Sequence, residues 1–110
     1  MTNKNFHYAT PRYVNKMIAG QEKGIKTKYL SNYVDFIRKY VKEGSKVLDL
    51  GCGAGLSSHM LSKYYKVTGA DLSKPVLNYA KRHFKNLEFQ LEDARHLSFK
   101  DETFEAVMGC

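Results

Sequence analysis

At 110 residues the chain has room for one small domain with a modest core. No stretch is long and apolar enough to span a bilayer, and the opening MTNKNFHYAT lacks the apolar centre of an export signal, so a cytoplasmic protein off the membrane is expected. The formal charge of +7 is uneven: residues 1–46 hold ten Lys/Arg and three Asp/Glu, while residues 47–110 hold eight of each. A basic lead-in is either a footprint for nucleic acid or an acidic substrate, or a solvated lysine-rich helical surface. With fourteen Lys to four Arg the second reading is favoured, because arginine is the better bidentate phosphate reader.

Along the chain, Thr10-Pro11 marks a helix start that runs to about residue 19, with Gly20 as its stop. QEKGIK is a loop, and Thr27 caps a second helix reaching about Val41 and ended by Gly44. Its Tyr29, Leu30, Tyr33, Val34, Ile37, Tyr40 and Val41 follow helical spacing, so the tyrosine stripe is expected in the core, opposite Lys28, Asn32, Asp35 and Lys39. From Lys46 the period changes. KVLDL is a strand; Leu56, Met60, Leu61 and Tyr64 space as one helical face; KVTGA is a second strand ending at Asp71. Ser73 caps a helix with Pro75 in its first turn and Val76, Leu77, Ala80 and Phe84 turned inward. LEFQLED alternates as a third strand and TFEAVMGC reads as a fourth. Strands alternating with short helices predict an α/β fold of parallel βαβ units. Right-handed crossovers then place the ligand crevice at the carboxyl ends of the strands. No internal repeat or low-complexity segment interrupts this pattern.

The stretch VLDLGCGAG, residues 47–55, puts Gly51, Gly53 and Gly55 within five positions. A strand that turns sharply into a helix needs residues free of a Cβ, and one glycine suffices for the turn. Three read as a ligand cradle. The dinucleotide fingerprint G-x-G-x-x-G would need glycine at 56, where this chain has Leu56. Asp49, two residues before the first glycine, suits a ligand with a positive group and repels a pyrophosphate.

With those residues in place, 47–110 resemble the first half of a class I S-adenosylmethionine-dependent methyltransferase. They are most similar to the small-molecule branch that includes the ubiquinone- and menaquinone-biosynthesis type enzymes. VLDLGCGAG resembles the first motif, VTGADLS the acidic end of the second strand, LEDARHLSF the third motif and DETFEAVMGC the fourth. Residues 1–45 resemble the family only as a helical lead-in, so the expected division is a lead-in over 1–45 and a cofactor-binding half over 46–110. The resemblance implies a Rossmann-like sheet whose first four strands are ordered 3-2-1-4, in a family fold of seven strands, of which this chain reaches the fourth.

The resemblance also implies a cofactor site. Asp49 and the backbone of Gly51, Cys52 and Gly53 would hold the methionine part, with Asp49 attracting its ammonium directly or through water, and Gly55 would complete the cradle. Asp71 would bind both ribose hydroxyls, where a charged acceptor makes each bond worth roughly 1.5–3 kcal/mol. Leu72 would pack on the adenine. Asp93 would accept from the adenine amino group with the Ala94 amide nearby, and Cys110 would border the methionine end. Glu92 reads as a solvated loop carboxylate. Where the family has Phe-Asp, this chain has Phe104-Glu105, an acid read as structural.

The cysteines Cys52 and Cys110 are read as small buried thiols in a reducing compartment, and His7, His59, His83 and His96 show no metal-ligand spacing; no metal is expected. Of the histidines, His96 could border the cofactor, and Tyr8 and Tyr13 could lie over it. The expected function is methyl transfer to a small-molecule acceptor by in-line displacement, which relies mainly on proximity and orientation, so no catalytic side chain is assigned. The alternatives are a non-catalytic cofactor-binding fragment and an RNA-associated methyltransferase using the basic lead-in; a dinucleotide oxidoreductase is set aside by Leu56. The open side of the fourth strand predicts a homodimer or pairing with a C-terminal half.

Overall fold

Lys46–Leu50 forms a strand because its alternate apolar side chains fill two layers at once, one on each face of a sheet. The structure is a computed structural model that describes residues 11–24, 27–93, 95–99 and 103–109, with backbone alone for Pro11, Tyr13, Val14 and Met17. Helices α1 (Pro11–Glu22) and α2 (Thr27–Arg38) lead into β1 (Lys46–Leu50), α3 (Leu56–Leu61), β2 (Lys66–Asp71), α4 (Lys74–His83), β3 (Glu88–Leu91) and β4 (Ala106–Gly109). The strands make one parallel sheet in the order β3-β2-β1-β4, the Rossmann-like order expected.

The register aligns Asp49 with Gly69 and Met108, and Gly69 with Phe89. Residues of that face meet the helices. Val34 and Ile37 of α2 and Leu61 of α3 pack on Val47, Tyr65 and Met108, while Leu77 and Ala80 of α4 pack on Phe89 and Cys52. Helix α1 leans on α4 and on the glycine loop, where Ile18 meets Ala54, Val76 and Tyr79. Two forward crossovers of one hand put their helices on one face; the run from β3 back to β4 reverses direction and passes over the other. There Phe99 and Phe104 meet edge-on at 4.9 Å. In parallel sheets such a reversal marks the carboxyl ends of the two strands beside it, here β1 and β4, as the end for a ligand.

Several sequence expectations shift. Helix α1 continues through Gly20 to Glu22 and stops before Gly24, whose φ of 71° ends it; the bonds made by Gln21 and Glu22, described below, hold the extra turn. Helix α2 ends at Arg38, short of Val41, because Lys39 and Tyr40 bond three residues back to Phe36 and Ile37. Its buried stripe is Leu30, Val34 and Ile37, so the tyrosine stripe is not core: Tyr29 is 59% and Tyr40 73% exposed, and Tyr33 is half-buried. The last two strands are shorter than their alternation. Before β4, Glu105 accepts the Lys46 N–H on its side chain and donates its own N–H to the Lys46 carbonyl, both at 2.8 Å, which supports the structural reading of this acid. Thr10 and Tyr8 lie outside the described residues. Among the described residues no helix is long and apolar enough to cross a membrane.

Candidate functional site at the carboxyl ends of the strands

Asp49 sits one residue before the end of β1 and is wholly buried. The hydroxyls of Ser57 and Ser58, in the first turn of α3, both donate to its Oδ2 at 2.7 Å. Its Oδ1 is equally buried and has no partner among the described residues. Burial pushes the Asp49 pKa up, the two serine bonds oppose that, and the nearby Asp71 charge adds to it. A carboxylate this enclosed with half its acceptors unused is an expensive arrangement to keep without a ligand or water to complete it.

The loop that follows is left-handed at Gly51, Gly53 and Gly55, with φ of 70°, 56° and 100°. Its amides point into the protein. Gly51 and Cys52 donate to the Ala70 carbonyl at 2.8 and 3.0 Å, Gly53 to Asp71 Oδ2 at 2.9 Å, and Gly55 to the Cys52 carbonyl at 3.1 Å. Leu56, the first amide of α3, donates to Gln21 Oε1 at 3.1 Å. The glycines differ in purpose. A Cβ on Gly51 would meet nothing within 4 Å, whereas one on Gly55 would lie 2.8 Å from Phe84 Cδ2 and 3.0 Å from the Ala80 Cβ. Gly55 therefore lets α4 approach the loop, a packing role beside the one expected of it in the cradle. Cys52 is a buried thiol whose pKa burial pushes up; as expected, it is a packing residue by its side chain.

Asp71 ends β2 half-buried. Besides holding Gly53, it accepts the Ser73 N–H on Oδ1 at 3.0 Å, so one carboxylate joins the glycine loop to the start of α4. Ser73 is the N-cap, yet its hydroxyl makes no cap bond and is buried without a partner among the described residues. Leu72 stands beside it, 36% exposed. On the next strand the acids divide differently from expectation. Glu92 is buried and accepts the Ser98 N–H, the Ser98 hydroxyl and the Gln90 amide at 2.9, 2.6 and 2.7 Å, so it is not a solvated loop carboxylate. Those bonds, led by Ser98, hold its pKa below the usual range. Asp93 is more open and is gripped by Arg95, Nε at 3.0 Å and Nη2 at 2.7 Å, which pulls its pKa down to about 2. Ala94 and Cys110 lie outside the described residues, as does the side chain of Tyr13.

No group of His, Cys, Asp or Glu among the described residues can hold a metal. His59 stacks on Phe84 and His83 on Tyr79; His96 pairs by its backbone with Asp93. A hollow of about 560 Å³ lies at the opposite, amino ends of the strands between Lys46, Thr68, Gln90, Phe99 and Phe104. A parallel sheet offers its ligands the other end.

A sequence profile of the methyltransferase domain family matches residues 47–110, more than half of the chain. The chain belongs to the class I S-adenosylmethionine-dependent methyltransferases. The chain is 34% identical over 87 residues to a demethylmenaquinone methyltransferase of Thermotoga maritima, an alignment covering 76% of this chain and 37% of the relative. It is 37% identical over 72 residues to a fatty-acid O-methyltransferase of Mycolicibacterium smegmatis, covering 61% and 26%. It therefore spans well under half the length of these curated relatives. A solved protein of Pyrococcus horikoshii superposes with a TM-score of 0.68 at 36% identity, covering 94% of this chain and 49% of that one. A solved S-adenosylmethionine-dependent methyltransferase of Methanosarcina mazei superposes at 0.60 with 35% identity, covering 66% and 40%.

The family's cofactor is S-adenosylmethionine, and the loop of this chain fits it. With the amides of Gly51, Cys52, Gly53 and Gly55 turned inward, the loop is left with two acceptors, the unpartnered oxygen of buried Asp49 and the half-buried carboxylate of Asp71, beside open space at Gly51. Such a set suits ammonium and hydroxyl donors, not a phosphate. Sequence reasoning missed Ser57, Ser58 and Gln21. The two serines had a signal, small polar residues eight and nine positions after Asp49 at a helix start. Gln21 had none, since its partners lie more than thirty positions away.

Proposed function

We propose that this chain is the cofactor-binding part of an enzyme that transfers a methyl group from S-adenosylmethionine to a small-molecule acceptor. The observation that carries the reading is the inward turn of the loop's amides, which leaves carboxylates and an open glycine for a donor-rich, cationic ligand. In this reading Asp49 meets the ammonium through a water on Oδ1, a mode that its complete burial favours over direct contact. The backbone at Gly51, Cys52 and Gly53 borders the methionine part, with Cys110 at its end. Asp71 accepts the ribose hydroxyls with the lone pairs that Gly53 and Ser73 leave free. Leu72 packs on the adenine, and Asp93, oriented by Arg95, accepts from the adenine amino group beside Ala94. The bound sulfonium supplies the activated methyl group; the chain's task is to hold and orient it. That the acceptor is a small molecule is supported by the demethylmenaquinone and fatty-acid enzymes among the relatives. The reading extends to assembly: the outer side of β4, with Val107 56% exposed, pairs with a second copy or with further chain.

Calorimetry and thermal shift test the proposal. S-adenosylhomocysteine is expected to bind and raise the melting temperature, and NAD is not. Asp71→Asn is expected to weaken the adenosyl ligand by on the order of 10- to 100-fold. Binding of NAD with no binding of either adenosyl ligand overturns the reading.

A further inference from the structure

Gln21 stands on the last turn of α1, remote in sequence from the glycine loop, yet its carboxamide touches both sides of Gly55. Nε2 donates to the Ala54 carbonyl at 2.8 Å, and Oε1 accepts the Leu56 N–H at 3.1 Å. A primary carboxamide offers a donor and an acceptor side by side, which is what this corner presents. The Leu56 amide is one of the helix-start donors that have no intrahelical acceptor, and the left-handed Gly55 between the two bonds turns its neighbours' polar groups toward the same side. The pairing thus satisfies two backbone groups of the loop with one side chain. The same turn of α1 is anchored twice more: Ile18 packs on Ala54, Val76 and Tyr79, and the Tyr79 hydroxyl donates to Glu22 Oε2 at 2.8 Å.

The loop is therefore held from two sides. Asp71 fixes Gly53 from β2, and Gln21 fixes the Ala54–Leu56 corner from α1. The open face at Gly51 lies just before these two points, and the serines that hold Asp49 follow directly after Leu56. Whatever loosens α1 frees one end of this span. We propose that Gln21 is a positioning residue of the cofactor site, which through its carboxamide holds the Ala54–Leu56 corner in binding geometry and couples the docking of α1 to occupancy of the cradle. The inference rests on the reading of the loop as the S-adenosylmethionine site. Since coupling is reciprocal, ligand in the cradle tightens α1 as much as docked α1 tightens the ligand.

The test uses the full chain with S-adenosylhomocysteine as probe. Gln21→Ala is expected to weaken the probe by about 10-fold, within the usual range of coupling between sites. Lys16→Ala, an exposed change on the same helix, is expected to leave affinity unchanged. Amide hydrogen exchange of the unmodified chain supplies a readout independent of any variant's folding: on adding the probe, protection is expected to rise together at residues 18–22 and at 56–58. A probe that binds the unmodified chain and binds Gln21→Ala equally well overturns the role of Gln21 and leaves the site reading intact. Protection at 56–58 without any at 18–22 overturns the coupling. Failure of the unmodified chain to bind the probe at all overturns the site reading, and the inference falls with it.

Discussion

Gly51 and Gly55 share a left-handed backbone and differ in their neighbours, so alanine at the two positions should separate binding from stability. At Gly55 the new methyl meets Phe84 and Ala80 inside normal contact distance; overpacking and backbone strain together should cost about 2–4 kcal/mol in urea unfolding. At Gly51, where the space is open, only the backbone term of about 1–2 kcal/mol is expected, with the larger loss in cofactor affinity. The sequence pattern D-x-G-x-G-x-G marked the loop but not this division of labour, because the helix that Gly55 admits begins nearly twenty positions later. Glu92 and Asp93 show the same limit: adjacent acids look alike in sequence, and only the return of Ser98 decides which one is enclosed. With its folded pKa below the ordinary 4.5, Glu92 stabilises the fold above that pH and loses its contribution as pH falls through the lowered value. Glu92→Gln is therefore expected to lower the melting temperature at pH 7, by a free energy of roughly 1 kcal/mol, with the difference closing in acid. Asp49 has the opposite sign: its pKa is raised by burial, so protonation favours the folded state and its ionisation opposes it as pH rises.

Elements were more legible than their ends. The strand KVLDL coincides with β1 because a parallel strand buried on both faces shows as a short, nearly continuous apolar run, bounded here by Lys46 and the glycines. Helix α2 was legible as a helix and misread in breadth: its aromatic residues widened the apparent apolar face, while the sheet receives only Leu30, Val34 and Ile37. Helix α1 was misread in length, since tertiary bonds from its last turn outweigh the penalty of the glycine within that turn. That glycine yields a direct prediction. A Cβ on Gly20 would meet nothing within 4 Å, so Gly20→Ala is expected to stabilise the chain by about 0.5–1 kcal/mol, measured as a higher urea midpoint at unchanged slope. A loss of stability instead would mean that the loop needs the freedom of that position to meet Gln21.

At the level of the whole molecule, the parallel sheet followed from the alternation of strands and helices and its strand order from the family resemblance, whereas the tie between α1 and the loop followed from neither. The sheet has β4 at one edge and β3 at the other, each carrying an exposed apolar side chain, Val107 and Leu91. On the assembly reading, light scattering of the 110-residue chain at tens of micromolar should show a species larger than a monomer, and Val107→Lys should shift it toward the monomer. A monomer in both cases would remove β4 as the pairing edge. The strap formed by α1 has a further consequence, in time. Glu22 and Tyr79 are 57 positions apart, so at about 5–20 residues per second the ribosome finishes α1 roughly 3–11 s before it adds the tyrosine that anchors it. Through that interval Ile18 and Glu22 lack Tyr79 to dock on, and the last turn of α1 is fully anchored only once α4 has been made. Of the described helices, α1 is made before the others and is among the last to reach its place.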